Sequence, residues 1–306
     1  MVKAGISPQE FEEKIKRATV KLLMAAAVYL PRDVKDALEE TYKKEKGELQ
    51  KKMLRSILDN LEIAEKEKRP LCQDTGAIIF YVKVGEKFPY MGSLHKILRE
   101  ATAEATELIP LRPNVVDVIT GKNTGNNVGN YLPWIDWEVV PNSDVAEITV
   151  MLKGGGSEAV SMMKVLTPAE GLKGALKAVV DTAFEAGPRT CPPNIIALGI
   201  GATGEIAAKM AKRGLLRPVG ERHPDPKVAE IEEKLLEAIN SLGWGIHGTG
   251  SGPTVLDVHV EVAERHPATY AVSVMVYCWA ARRATMKITA DGKVTYPSHS
   301  FLDKEG

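Results

Sequence analysis

The sequence predicts a mixed α/β fold, with a helical N-terminal region followed by mixed β-sheet and flanking helices. A long opening stretch carries apolar residues at helical spacing, two later runs are rich in β-branched and aromatic residues, and strands then alternate with helices that end at glycines. Ser7-Pro8-Gln9-Glu10 is a capping box with proline at the first helical position, and helical spacing continues through Ala27. A second helical block is expected from Asp33 to Lys66, with Glu and Lys on its exposed face. Ala77–Val84 and Glu147–Leu152 read as buried strands, residues 94–108 as a helix, and Asn123–Tyr131 as loop. Thr167-Pro168-Ala-Glu170 repeats the capping-box pattern, and Gly187 is placed to end the helix that follows. Strand Ile195–Leu198, helix Gly204–Arg213, helix Pro226–Leu242, and strands Thr254–Val262 and Ala271–Val276 complete the expected order. No repeat or low-complexity linker interrupts the chain. One domain over residues 1–306 is therefore expected, with a helical region over residues 1–66, a mixed α/β region over residues 67–290 and a polar tail over residues 291–306.

The 306 residues suffice for a large core, and 40 basic residues balance 40 acidic ones. That balance gives no electrostatic footprint for a nucleic-acid partner. The opening residues lack the charged-then-apolar pattern of an export signal, and the run Leu22–Leu30 is too short to span a bilayer. A soluble cytoplasmic protein with reduced thiols and no membrane partner is expected.

Three cysteines stand far apart in polar or glycine-rich settings: Pro70-Leu-Cys72-Gln-Asp-Thr-Gly76, Gly187-Pro-Arg-Thr-Cys191-Pro-Pro-Asn194, and Cys278 at the end of a strand. An odd number of widely spaced thiols completes neither a disulfide framework nor a four-thiolate site. Two readings follow. Free cysteines commonly act as small buried hydrophobes. Three thiolates also suit a cubane iron–sulfur cluster held by three corners, its fourth iron open to substrate as a Lewis acid.

Gly199-Ile-Gly201-Ala-Thr-Gly204 follows a predicted strand and opens a predicted helix, as a dinucleotide-binding fingerprint does. A nicotinamide-dependent dehydrogenase is thus a rival, although no second strand ending in an acidic residue follows. Lys153-Gly-Gly-Gly-Ser-Glu158 and Gly248–Pro253 add two further glycine-rich segments at strand ends, where the backbone can approach a ligand or make a plain turn. Gln73 and Asp74 adjoin Cys72, and Asp74 is a candidate general acid/base or an ordinary turn residue. Arg112 offers a fork suited to a carboxylate, or a solvated surface charge. His266 precedes Cys278 by twelve residues across a strand. His247, in a glycine-rich loop, is the alternative histidine; His223 and His259 read as loop and surface-strand residues.

The sequence resembles the α subunit, or N-terminal domain, of the oxygen-sensitive class I fumarate hydratases and the related L-tartrate dehydratases. The likeness rests on Cys72-Gln-Asp-Thr-Gly76, Leu111-Arg-Pro-Asn114, Lys153-Gly-Gly-Gly-Ser-Glu158, Cys191-Pro-Pro-Asn194 with Gly199-Ile-Gly201, Thr254-Val-Leu-Asp257, and His266 with Cys278, across about residues 8 to 290. The resemblance implies a [4Fe-4S] cluster held by Cys72, Cys191 and Cys278, its fourth iron taking a substrate hydroxyl and carboxylate. Gln73, Arg112 and the Gly155 backbone would then line a small dicarboxylate, with Asp74 and His266 in proton transfer. It further implies reversible hydration of fumarate to L-malate, with L-tartrate dehydration as the alternative. A separate β subunit would complete the pocket, and α chains would pair as a homodimer within a larger assembly. A non-catalytic assembly subunit is the remaining reading. The segment Gly245-Ile-His-Gly-Thr-Gly-Ser-Gly-Pro253 departs from the family pattern and leaves the role of His247 open.

Overall fold

The computed structural model describes residues 7–304; the stretch 1–6, within the segment read for an export signal, and residues 305–306 of the expected tail lie outside the described residues. In chain order the elements are α1 (Pro8–Val28), α2 (Arg32–Lys44), α3 (Glu48–Glu67), β1 (Ala77–Gly85), α4 (Met91–Leu108), β2 (Trp134–Val140), β3 (Ala146–Lys153), α5 (Gly155–Glu158), β4 (Met162–Leu166), α6 (Gly171–Ala186), β5 (Asn194–Ala202), α7 (Gly204–Gly214), α8 (Pro226–Asn240), β6 (Val255–Arg265), β7 (Tyr270–Tyr277), β8 (Arg283–Ile288) and β9 (Val294–Thr295). This is a mixed α/β fold. The chain divides into two compact units: described residues of Met1–Pro31, Asn60–Lys153 and Arg282–Gly306 form the first, and Arg32–Asp59 with Gly154–Ala281 the second. The division into units does not fall at residue 66, because α2 and the larger, N-terminal part of α3 belong to the second unit.

In the first unit the sheet order is β2-β1-β3-β8-β9, with β1 and β2 parallel and the other neighbours antiparallel. The α1 capping box forms as expected: the Ser7 hydroxyl accepts from the Glu10 N–H at 3.2 Å, and the Glu10 carboxylate accepts from the Ser7 N–H at 2.9 Å. Behind that start, Phe11, Ile15, Leu22 and Leu23 are fully buried in one core with Phe80, Ile148 and Met286. Each such side chain contributes about 1.5–3 kcal/mol by leaving water. Part of the stretch expected as a polar tail packs on this core. Tyr296 and Leu302 join this core, the Tyr296 hydroxyl donates to the Ala18 carbonyl at 3.0 Å, and Lys21 donates to the Leu302 carbonyl at 2.8 Å.

In the second unit the order is β4-β7-β5-β6, with β5 and β6 parallel and the other pairs antiparallel. Ile196, Leu198, Val258, Val260, Val272 and Val274 pack with Val179 of α6 and with Leu235 and Ile239 of α8. The single helical block expected over 33–66 is two helices, α2 and α3. Between them the Glu45 carboxylate accepts from the N–H groups of Lys46 and Gly47, closing a turn. At Thr167 half of the expected box forms: Glu170 accepts from the Thr167 N–H and hydroxyl, but the helix starts only at Gly171. Gly187 does end α6, at φ 48°. Among the described residues no helix is long and apolar enough to cross a membrane.

Candidate active site

In the first unit the Cys72 loop joins α3 to β1, and side-chain amides fix it. Leu71 is buried; its N–H donates to the Ala27 carbonyl, and its carbonyl accepts from Asn60 Nδ2 at 2.9 Å. Cys72 is a free, half-buried thiol with Sγ 3.9 Å from Gln73 Oε1. Asp74 turns back on its own backbone: Oδ1 accepts from the Gly76 N–H at 2.8 Å and from Asn114 Nδ2 at 2.7 Å. The second contact joins the Cys72-Gln-Asp and Leu111-Arg-Pro-Asn segments. Asn127, almost wholly buried, fixes the second segment by accepting from the Asn114 N–H and donating to the Arg112 carbonyl and the Thr106 hydroxyl. Arg112 and Gln73 reach solvent. Sequence reasoning singled out Gln73, Asp74 and Arg112 but missed Asn114 and Asn127 as their supports. A neutral amide in a loop carries no local signal of its partner.

In the second unit Cys191 and Cys278 lie at one end of the sheet. Asn194 opens β5, Ile195 pairs with Tyr277 at the end of β7, and the Trp279 N–H donates to the Cys191 carbonyl at 3.4 Å. Cys191 is exposed and Cys278 half-buried, and neither is in a disulfide. Cys191 sits in the left-handed region at φ 53°, held by a reciprocal clamp across it: the Thr190 hydroxyl donates to Asn194 Oδ1 at 2.8 Å, and Asn194 Nδ2 donates to the Thr190 carbonyl at 3.0 Å. The glycine turn after β3 reaches the same end, where a Cβ on Gly156 would lie 3.6 Å from the Arg189 carbonyl. Gly155 opens α5 with its backbone exposed.

A third segment backs Cys191. The His247 N–H donates to the Pro192 carbonyl at 3.0 Å, and a Cβ on Gly248 would strike Pro188 at 2.5 Å. A Cβ on Gly245 would lie 2.1 Å from the Ser251 carbonyl, so only glycine fits this turn, at φ 67°. His247 itself has φ 49°, and its Nε2 is buried without a hydrogen-bond partner. Burial holds its imidazole below the usual histidine range, favouring the neutral form.

His266 is not brought to Cys278. It lies exposed in the β6–β7 turn, its Nδ1 accepting from the Ala268 N–H, and the eight-residue β7, roughly 25 Å long, separates the two. The sequence separation of twelve spans a strand from end to end instead of folding back. His259, expected on a strand surface, is fully buried against Asp257 and the Gly214 carbonyl. The Gly199–Gly204 run also has a different use from that of a dinucleotide loop. A Cβ on Gly199 would meet the Ala207 carbonyl at 2.1 Å, and one on Gly201 the Ala263 carbonyl at 2.0 Å, so these glycines let α7 and β6 close on β5. A cleft of about 500 Å³ between β4 and α6 is lined by the opposed charges of Lys164, Lys177, Glu170 and Asp181, and it contains none of the three thiols.

Among the described residues no three His, Cys, Asp or Glu side chains are gathered tightly enough to hold a single metal ion. A cubane cluster is gripped at its corners, so its thiolates stand farther apart than the ligands of one ion. The donors fit such a group in kind: none of the three thiols is in a disulfide, and the Cys72 and Cys191 loops are held by side-chain hydrogen bonds.

Residues 16–287 match the family described as Fumarate hydratase (Fumerase). A protein of Methanocaldococcus jannaschii named "Putative L(+)-tartrate dehydratase subunit alpha" is 45% identical over 285 residues, covering 92% of this chain and all of that one. The L(+)-tartrate dehydratase subunit alpha of Escherichia coli K12 is 39% identical over 292 residues, covering 95% of this chain and 96% of its own length. Fold, motifs and these similarities together define an enzyme of the hydro-lyase class. The chain belongs to the fumarate hydratase (Fumerase) family.

Proposed function

We propose that this chain is the α subunit of an iron–sulfur hydro-lyase acting on a four-carbon hydroxy-dicarboxylate, and that it requires a separate β subunit for activity. The names of its bacterial and archaeal relatives support L(+)-tartrate as the substrate, dehydrated to the enol of oxaloacetate. The family description supports fumarate, hydrated to L-malate, as the second reading. Cys72, Cys191 and Cys278 would hold the [4Fe-4S] cluster, which when bound supplies a Lewis acid for the departing hydroxyl.

The observation that carries the reading is the Asp74–Asn114 bond, which ties the carboxylate beside Cys72 to the segment bearing Arg112. Asp74 is oriented through Oδ1 by Gly76 and Asn114, as suits a group that takes the proton from the carbon next to a substrate carboxylate. The exposed Gln73 and Arg112 would bind the substrate carboxylates, the arginine through its planar fork. The Gly155 N–H, at the turn beside Cys191, would face a substrate oxygen. His266 is not assigned a role in proton transfer, since β7 separates it from Cys278.

The test is anaerobic reconstitution of this chain with its β subunit, followed by iron and sulfide analysis and rates on L-tartrate, L-malate and fumarate. Iron-dependent turnover is expected, lost in Cys72→Ser, Cys191→Ser and Cys278→Ser. An active iron-free enzyme would refute the cluster, and faster turnover of malate and fumarate than of tartrate would select the second reading.

A further inference from the structure

Two buried side-chain nitrogens without a hydrogen-bond partner, Trp244 Nε1 and His247 Nε2, lie in one loop of the second unit. That loop packs on the segment carrying Cys191. Trp244 covers Gly187, where a Cβ would lie 3.5 Å from its ring, and Gly248 presses on Pro188. The His247 backbone holds the Pro192 carbonyl. His247 is therefore fixed against residues on both sides of Cys191. A polar nitrogen buried without a partner is costly, and a non-glycine residue at φ 49° adds backbone strain. Both penalties fall on one residue bonded to the neighbour of Cys191. The loop backbone is well satisfied: Gly245 donates to the Thr254 hydroxyl, Ile246 to the Ser251 carbonyl, and the Thr249 carbonyl accepts from Gln50. The unpaired imidazole and the Trp244 indole are thus side-chain exceptions in a loop with an ordered backbone, and of the two only His247 holds the residue next to Cys191.

Resting on the cluster reading above, we propose that His247 donates a hydrogen bond from Nε2 to a sulfur of the group held at Cys191, either the thiolate or an inorganic sulfide. Its neutral tautomer with hydrogen on Nε2 is a donor of the required kind, and no proton is transferred. Hydrogen bonds to cluster sulfurs raise the reduction potential and shield the sulfurs from solvent. Such a bond would slow the loss of iron from an incompletely ligated cluster.

The experiment compares wild type, H247L, H247Q and Cys191→Ser, each as the full chain assembled with the β subunit and reconstituted anaerobically with iron and sulfide. The readouts are the midpoint potential of the cluster, its electron paramagnetic resonance signal after reduction, the rate of iron loss in air, and the melting temperature of the apo chain. H247L is expected to lower the potential and to weaken iron retention by roughly 10- to 100-fold, the range for removal of a supporting hydrogen bond at a metal site. Its apo chain should melt no lower than wild type, because an unpaired polar atom has been removed. Gln at 247 offers an amide donor of similar reach and should restore potential and retention. An H247L enzyme with wild-type potential and retention overturns the proposal, as does one whose only change is a lower apo melting temperature. A wild type that holds no more iron than Cys191→Ser sinks the cluster reading itself and this bond with it, a result distinct from the other two.

Discussion

The Cys72 loop of the first unit and the strap packed on β6 of the second are held by different chemistry. In the first, the support is neutral: Asn60, Asn114, Asn127 and Thr106 bond one another and the backbone around the Cys72 loop. In the second, the parallel pair β5–β6 carries a buried charged network. Glu232, fully buried, meets Arg217 at 2.6 Å and accepts from the N–H groups of Val260 and His223. Asp257, also fully buried, meets Arg222, His259 and the Gly220 N–H. Amides orient the Asp74 carboxylate without placing a competing charge beside it, whereas charges fasten a long irregular strap, residues 215–225, onto a strand. The neutral cluster should be indifferent to pH and modest in energy; the charged one should be costly to break and sensitive to acid.

The largest expected effect is in the charged network. Arg217→Met leaves Glu232 buried without its nearest cation and is expected to cost roughly 3–5 kcal/mol, read by urea denaturation. A loss below about 1 kcal/mol would mean that Arg222, 3.7 Å away, takes over the carboxylate, and the contrast would collapse. Next, Asn127→Leu orphans the Asn114 N–H and the Arg112 carbonyl and should cost about 1–3 kcal/mol in the same assay. Asn114→Ala, at a half-buried site, should lower kcat/KM of the assembled enzyme about tenfold, equivalent to about 1.4 kcal/mol, with little change in stability. A stability loss without a rate effect would make Asn114 a structural residue and weaken the case for Asp74.

The smallest effect is set by pH. Burial pushes the Asp257 carboxyl up, but hydrogen bonds from His259, Gly220 and Arg222, with the His259 charge, outweigh it and hold the group below its usual 3.8. Its contribution to stability is then complete above pH 3.8 and is lost as pH falls through the lowered folded value. Hydrogen exchange followed below pH 4 should show β6 amides losing protection, a loss abolished in Asp257→Asn. Amides around Asn127 should not share that dependence.

Much of the fold could be read locally. The Ser7–Glu10 box and the Gly187 stop are short-range devices whose partners lie within a few residues, and both appear where expected. The strands that escaped include β2, β4 and β8. β2 and β4 are edge strands with Trp134, Trp137, Met163 and Val165 exposed, so neither carries the inward alternation that marks a strand. β8 is short and carries Arg283 and Lys287 in six residues. The site divides in the same way. Cys72-Gln-Asp and Cys191-Pro-Pro-Asn announce themselves by composition, but the bond from Asn114 to Asp74 spans 40 residues and has no local signature. The twelve-residue step from His266 to Cys278 looked like proximity and is the length of a strand.

Composition and short-range pattern were enough to establish the mixed α/β class, the helix starts and stops, the thiol-bearing loops and the family likeness, because turn chemistry and caps act between neighbours in the chain. The pairing of Cys191 with Cys278 at one sheet end, the burial of His259, the return of the chain's end into the first core and the unpaired nitrogen of His247 emerged only once the strands were in register. Each depends on contacts between residues distant in sequence, and long-range closure is decided by the summed packing of a whole core and not by any segment alone.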